Sequence, residues 1–233
     1  MKNKFLFFKL ILLVSLYLII QTSNIFAKEI RLKAIEILTL EEGNVIIGNI
    51  NAEAKIENEL EIYADKFTYN KKKDFLTAEG NVLAVDLLKN FKINSNKIDF
   101  DRVNNKIYSH GKTIFNIKNI YKVDSENVNY LINESILSSK KETVVIDDLN
   151  NKINLNSFIY DDKIKVLKGR DIRMIDSEKN KYFLNQGMVK LDEYTLIGKD
   201  IKVLLNNKSF DNPENEPKLK GNSVLYKNNT TLV

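Results

Sequence analysis

His110 is the single imidazole of the 233-residue chain, which has no cysteine and no tryptophan. Without cysteine there is no thiolate nucleophile, no disulfide and no cysteine-ligated metal. One histidine leaves zinc almost excluded, because zinc takes several His or Cys ligands. A histidine-dependent triad would have to be built around His110. Its neighbour Gly111 marks a strand end, so an exposed turn residue is expected there. The adjacent carboxylates Asp147-Asp148 and Asp161-Asp162 stand in turn-like contexts, where neighbours point to opposite sides, and they make no acid/base pair. The eight glycines are dispersed and form neither a phosphate loop nor a nucleophile elbow. No Asn-rich turn has the alternating Asp/Asn spacing followed by Glu that calcium requires. The expectation is a protein that is not an enzyme and takes no metal and no cofactor.

The formal net charge is +5, but much of it stands in one place. Lys2, Lys4 and Lys9 precede an apolar run, Leu10 to Ile20, interrupted only by Ser15. A polar stretch and Ile25-Phe26-Ala27 follow. A basic start, a short apolar segment and a small final residue read as a signal peptide over residues 1–27, cut after Ala27. Leu10–Ile20 is short for a membrane span of about 20 residues. Removing three lysines leaves a mature chain near neutrality. The remaining lysines alternate with acids, as in Lys71-Lys72-Lys73-Asp74 and Lys199-Asp200-Ile201-Lys202. Such mixing reads as a solvated face, and no nucleic-acid partner is expected.

The elements that would position any site are strands. From Ile62 onward Val, Ile, Phe and Tyr alternate with Asp, Asn, Lys and Ser, the period-2 signature of short β-strands. Polar turns are expected at Asn70–Asp74, Asp101–Asn105, Asp161–Lys163 and Asn206–Lys208. Pro213 and Pro217 lie in a polar loop over Asp211–Lys218. Self-comparison shows a repeat. Ile62-Tyr-Ala-Asp-Lys-Phe-Thr-Tyr-Asn aligns with Ile93-Asn-Ser-Asn-Lys-Ile-Asp-Phe-Asp, and Gly80 with Gly111, both at an offset of 31. Further copies begin at Val123 and Ile153, and a weaker one at Leu196. Each unit is two strands joined by a polar turn, the second ending near Gly or a small residue. The sixth and eighth positions of each first strand are Phe67/Tyr69, Ile98/Phe100, Val128/Tyr130, Phe158/Tyr160 and Ile201/Val203. The second strands add Leu76, Ala78, Ile107 and Leu137. Because strand side chains alternate sides, these residues form an apolar column on one face, and one register slip would invert it.

Ala64-Asp65-Lys-Phe-Thr-Tyr69-Asn70, followed by Leu76-Thr-Ala78-Glu-Gly80-Asn81-Val82, resembles the OstA-like domain of lipopolysaccharide-transport proteins. A degraded copy runs through Ser95-Asn96, Phe100-Asp101 and Ser109-His-Gly111-Lys-Thr. Glu42-Gly43-Asn44-Val45 and Lys220-Gly221-Asn222-Ser223 echo the Gly-Asn-Val element. The likeness is good over about residues 60–113 and weaker beyond. It implies an all-β fold, an open β-jellyroll of V-shaped, trough-like section over residues 28–233. The column above would line the trough and hold the acyl chains of lipopolysaccharide. Partners implied are lipopolysaccharide and a periplasmic OstA-like bridge protein joined by edge-strand addition.

Within the family, the length and the extra degenerate repeats resemble the N-terminal periplasmic region of the outer-membrane lipopolysaccharide-assembly member. An outer-membrane assembly lipoprotein is then a partner if a barrel follows. The strand-like run Ser223–Tyr226 and Asn228–Val233 reaches the last residue, which fits a front end given without its barrel. Many members tie this domain to the barrel by disulfides, and these residues contain no cysteine for it. The expected place is the periplasm, associated with the outer membrane. The alternatives are a soluble or inner-membrane-anchored component of the same pathway. From another class, the alternative is a β-solenoid adhesin or polysaccharide-acting protein, since about 30 residues also suits a solenoid coil.

Overall fold

The computed structural model describes residues 29–56, 59–118, 120–148, 150–176, 178–190, 193, 195–206, 218–227 and 230–232. The signal peptide, the turn at residues 207–208 and the proline loop at 211–217 lie outside the described residues. Strands begin earlier than Ile62. In chain order they are β1 Ile30–Lys33, β2 Glu36–Leu40, β3 Val45–Ile56, β4 Leu60–Asn70, β5 Phe75–Asp86, β6 Phe91–Asp101, β7 Lys106–Ile117, β8 Tyr121–Glu126, β9 Asn129–Leu131 and β10 Ile136–Ser139. There follow β11 Thr143–Ile146, β12 Lys152–Leu155, β13 Ser157–Asp161, β14 Val166–Ile175, β15 Lys181–Lys190, β16 Thr195–Leu204, β17 Lys218–Lys227 and β18 Thr230–Leu232. Apart from one 3-10 turn at Glu41–Gly43, the described residues contain no helix.

Pairing is antiparallel throughout and mostly joins neighbours in the chain, while β8 pairs with β11 and β10 with β13 across the intervening short strands. β3 to β7 pair in succession, as do β14 to β18. The short strands are halves of long ones. β8 and β9 both pair with β7, and β12 and β13 both pair with β14. The 31-residue offset is therefore the length of one long hairpin, β4–β5 followed by β6–β7. A solenoid would stack coil on coil in parallel, so the meander excludes that alternative.

The pairing of β3 to β7 shifts register at mid-strand, and the shifts align into a crease. On β3, β5 and β7, the pairs Ile50-Asn51, Gly80-Asn81 and Gly111-Lys112 stand opposite a single residue, Asp65 or Asn96. Two residues against one is a β-bulge, which bends the strand and deepens its twist. Ile50, Asn51, Gly80, Asn81 and Gly111 all have positive φ, the left-handed conformation that Gly and Asn adopt most readily. A side chain at Gly80 would meet the Asp65 carboxylate, which also accepts a hydrogen bond from Asn81 Nδ2 at 2.9 Å. Farther along, Asn156 donates to Asp171 at 2.8 Å and Asn185 to Asp200 at 3.2 Å. Gly80 and Gly111, expected at strand ends, are thus mid-strand pivots. Gly43-Asn44 instead belongs to the turn between β2 and β3.

The crease divides the sheet into two leaves that fold face to face. Leaf A holds segments such as Lys66–Asn70 and Phe75–Glu79, and leaf B holds Leu60–Ala64 and Val82–Asp86. The result is a β-jellyroll creased lengthwise, V-shaped in section. Next to the crease, leaf A alternates small and large inward residues across its strands: Gly48, Phe67, Ala78, Ile98, Ser109. Alternation lets the two leaves interdigitate. In β14, β15 and β16 the row becomes Gly169, Gly187 and Gly198, paired side by side. The places their side chains would take are filled by Leu155, Ile172 and Leu184 from leaf B. Apolar burial on one side of a sheet that is wet on the other holds the whole together.

Candidate functional site

All fourteen residues expected on the apolar column face the inside. Phe67, Tyr69, Leu76, Ala78, Ile98, Phe100, Ile107, Val128, Tyr130, Leu137, Phe158 and Tyr160 come from leaf A or its margin at the crease, and Ile201 and Val203 from leaf B; every one is buried. The opposite wall was not anticipated in full. It is made by Ile62, Ala84, Phe91, Ile93, Phe115, Ile117 and Val123, also buried. The signal for it lay in the first position of each repeat copy, where Ile62, Ile93 and Val123 recur.

The two walls touch. Tyr130 of leaf A packs against Phe91 and Phe115 of leaf B, with ring centroids 5.5 and 5.7 Å apart. The interior is therefore filled by its own side chains. An apolar gap of about 20 Å³ is bounded by Ile117, Tyr121, Val123, Val145, Ile153, Phe158, Tyr160 and Leu167. That is room for about one water.

Near the crease the inner surface turns polar. Thr113 donates to Ser109 at 2.7 Å, and Ser125 and Thr143 share a hydrogen bond of 2.7 Å. Among the described residues no buried side-chain nitrogen or oxygen lacks a partner. His110 is not a turn residue. It lies within β7, half-exposed on the outer face, with Nε2 2.6 Å from Asp99 Oδ2. Asp99 also accepts from Thr77 at 2.7 Å, so its carboxylate is committed to surface pairing. Asp161 and Asp162 do separate as expected. Asp161 accepts the turn N–H of Lys163 at 2.9 Å, whereas Asp162 turns inward and is buried.

Away from the crease, at the mouth of the V, polar contacts join the leaves. Tyr130 donates to Asp86 at 2.5 Å. Burial and the Asp86 carboxylate push this phenol well above its ordinary pKa, so it remains a donor. Lys89, in the turn after β5, donates to the Ile132 carbonyl across the mouth. The second clasp centres on Asp162, which accepts from Lys165 at 2.5 Å, Tyr160 at 2.8 Å and Lys118 at 3.2 Å. Lys118 belongs to the turn after β7, on the other leaf. Burial alone would raise the pKa of Asp162, but the hydrogen bonds from Lys165, Tyr160 and Lys118 outweigh it and hold it below the ordinary value. The pKa of Lys118 is lowered, chiefly by its neighbour Lys165 and by burial.

A carboxylate whose folded pKa is depressed adds stability above the unfolded value, and that stability is lost as pH falls through the folded value. The melting-temperature gap between the wild type and Asp162→Asn should therefore be full at pH 6 and close below pH 3.8. Melting curves across that range check it. A gap independent of pH would remove the ionised clasp.

No family model matches the sequence, and no curated protein matches it. Among solved structures, the chain is similar to LptH from Pseudomonas aeruginosa, described as the LptA-homologous periplasmic component of the conserved lipopolysaccharide transport device. Identity is 12%, the TM-score is 0.43, and the match covers 47% of this chain and 80% of that one.

Proposed function

We propose that the chain is a periplasmic component of lipopolysaccharide transport that holds acyl chains between its two leaves. The observation that carries this reading is the apolar inner face itself, which continues strand after strand along the length of the sheet. Transfer of an acyl chain from water into such a slot is favourable by about 25 cal/mol per Å² of apolar surface. The lack of tight polar recognition would let cargo slide. The filled interior means that acyl chains enter by parting the leaves, with the Asp86 and Asp162 clasps setting the closed state. The sequence signature Ala64-Asp65 with Gly80-Asn81 supports the same reading, since those residues build the crease.

Edge-to-edge docking follows from the end strands. Within the described residues, β1 and β2 pair on one side only, with β3. Ile37, Leu38 and Leu40 of β2 are exposed. An uncovered apolar edge is a liability unless another strand is added to it. On this reading the partner is an OstA-like bridge protein, and the outer-membrane assembly role is the finer form of the proposal.

Photo-crosslinking tests it. Photoreactive residues at Phe67, Tyr69 or Phe100 should capture lipopolysaccharide, and those at Lys66 or Thr68, on the outer face, should not. Equal labelling of both faces would overturn the proposal.

A further inference from the structure

Along the chain, positive and negative residues are mixed in the last third, yet the fold sorts them. Lys199-Asp200-Ile201-Lys202 shows how. Asp200 sits at the crease with positive φ, bonded to Asn185, while Ile201 is buried and Lys202 faces out. Repeated over β12, β14, β15, β16 and β17, this sorting leaves the outer surface of leaf B with six cations among ten positions: Lys152, Arg173, Lys181, Lys202, Lys218 and Lys220. No carboxylate stands among the ten.

The other positions are mostly apolar, and they alternate with the cations. In register, Ile175 lies between Lys152 and Lys181, and Leu204 between Lys181 and Lys218. Phe183 lies between Arg173 and Lys202, with the Lys202 ammonium 5.9 Å from its ring centroid. Five strands about 4.8 Å apart put all six cations within about 20 Å, near enough to act jointly across a Debye length of about 10 Å. Nearer the N-terminus the outer surface of the same leaf carries carboxylates among its cations: Lys55 lies 3.1 Å from both Glu53 and Glu61.

We propose that this basic and apolar face docks on an anionic lipid bilayer. Interleaved ammonium groups, aliphatic side chains and one phenyl ring match a headgroup layer, which presents phosphates above an apolar interior. A surface for nucleic acid would also be basic. It would in addition carry hydrogen-bonding side chains for bases and sugars, and here Asn154 alone is uncharged and polar. The inference is independent of what the interior carries.

The test is flotation of the full chain with vesicles of phosphatidylcholine and phosphatidylglycerol, 70:30, compared with pure phosphatidylcholine. The apolar N-terminal residues are common to all variants, so differences between variants isolate the face. Lys181→Gln with Lys202→Gln should weaken binding to the anionic vesicles about fivefold per lysine, with an unchanged melting temperature. Lys66→Gln with Lys168→Gln, on the outer surface of the other leaf, should leave binding within about twofold. Raising salt to 0.5 M should release the wild type. Equal wild-type binding to neutral vesicles, no loss in the first pair, an equal loss in the second, or displacement from vesicles by RNA would each overturn the proposal.

Discussion

Replacing Phe91 with alanine should destabilise the fold by about 3–5 kcal/mol. Phe91 is completely buried. It meets Phe115 edge-on at 5.3 Å on its own leaf and Tyr130 at 5.5 Å on the other. Tyr130 and Phe115 are 5.7 Å apart, so three rings close on one another across the interior. Removing one leaves a cavity that rigid strands cannot collapse, and it forfeits ring contacts worth about 0.5–1.5 kcal/mol beyond area. Natural domains have only about 5–15 kcal/mol of stability, so the loss would be a large fraction. Urea unfolding of the wild type, Phe91→Ala and Phe91→Leu measures it. Leucine should recover part of the loss. A cost below about 1 kcal/mol for alanine would show that the leaves do not depend on this junction.

Gly198→Val should cost about 1–3 kcal/mol by overpacking, and the cost should shrink when Leu184→Ala is added. The new side chain would occupy the place now taken by Leu184 Cδ2 and stand 3.2 Å from the Gln186 carbonyl at its first carbon. Leu184→Ala alone should also destabilise, by about 2–5 kcal/mol, because Leu184 is buried. Two substitutions that each harm and together harm less than their sum would establish the knob and its hole. Strict additivity in the unfolding free energies would mean that Gly198 is needed for its backbone instead.

These expectations rest partly on what was readable from the sequence. The inward set was legible because alternation in a strand is a rigid geometric rule, and Phe67 and Tyr69 could not be buried without Lys66 and Thr68 facing out. The crease was not legible. Gly and Asn adopt left-handed backbone in tight turns and in bulges alike, so Gly80-Asn81 and Gly111 carried the signal for a strand end as well as for a bend. The same ambiguity put His110 in a turn when it lies mid-strand beside Asp99. Charge failed for a related reason. Neighbours in sequence such as Asp200 and Lys202 are sent to different places by a single bend, and only the fold reveals that one face has kept the cations. Asp162 was legible as a turn residue but not as a clasp, because Lys118 reaches it from the opposite leaf 44 residues away.

The pairing order of the strands has a consequence for how the molecule is made. Every long strand zips onto the one just before it, and no closing contact joins the first strand to the last among the described residues. Contacts local in sequence cost little loop entropy and form quickly. A chain delivered N-terminus first can then build its structure one hairpin at a time, each finished hairpin being the template for the next. The unfinished product always exposes a single growing edge, in the same geometry at every stage, so synthesis could stop after any whole hairpin and leave a folded piece.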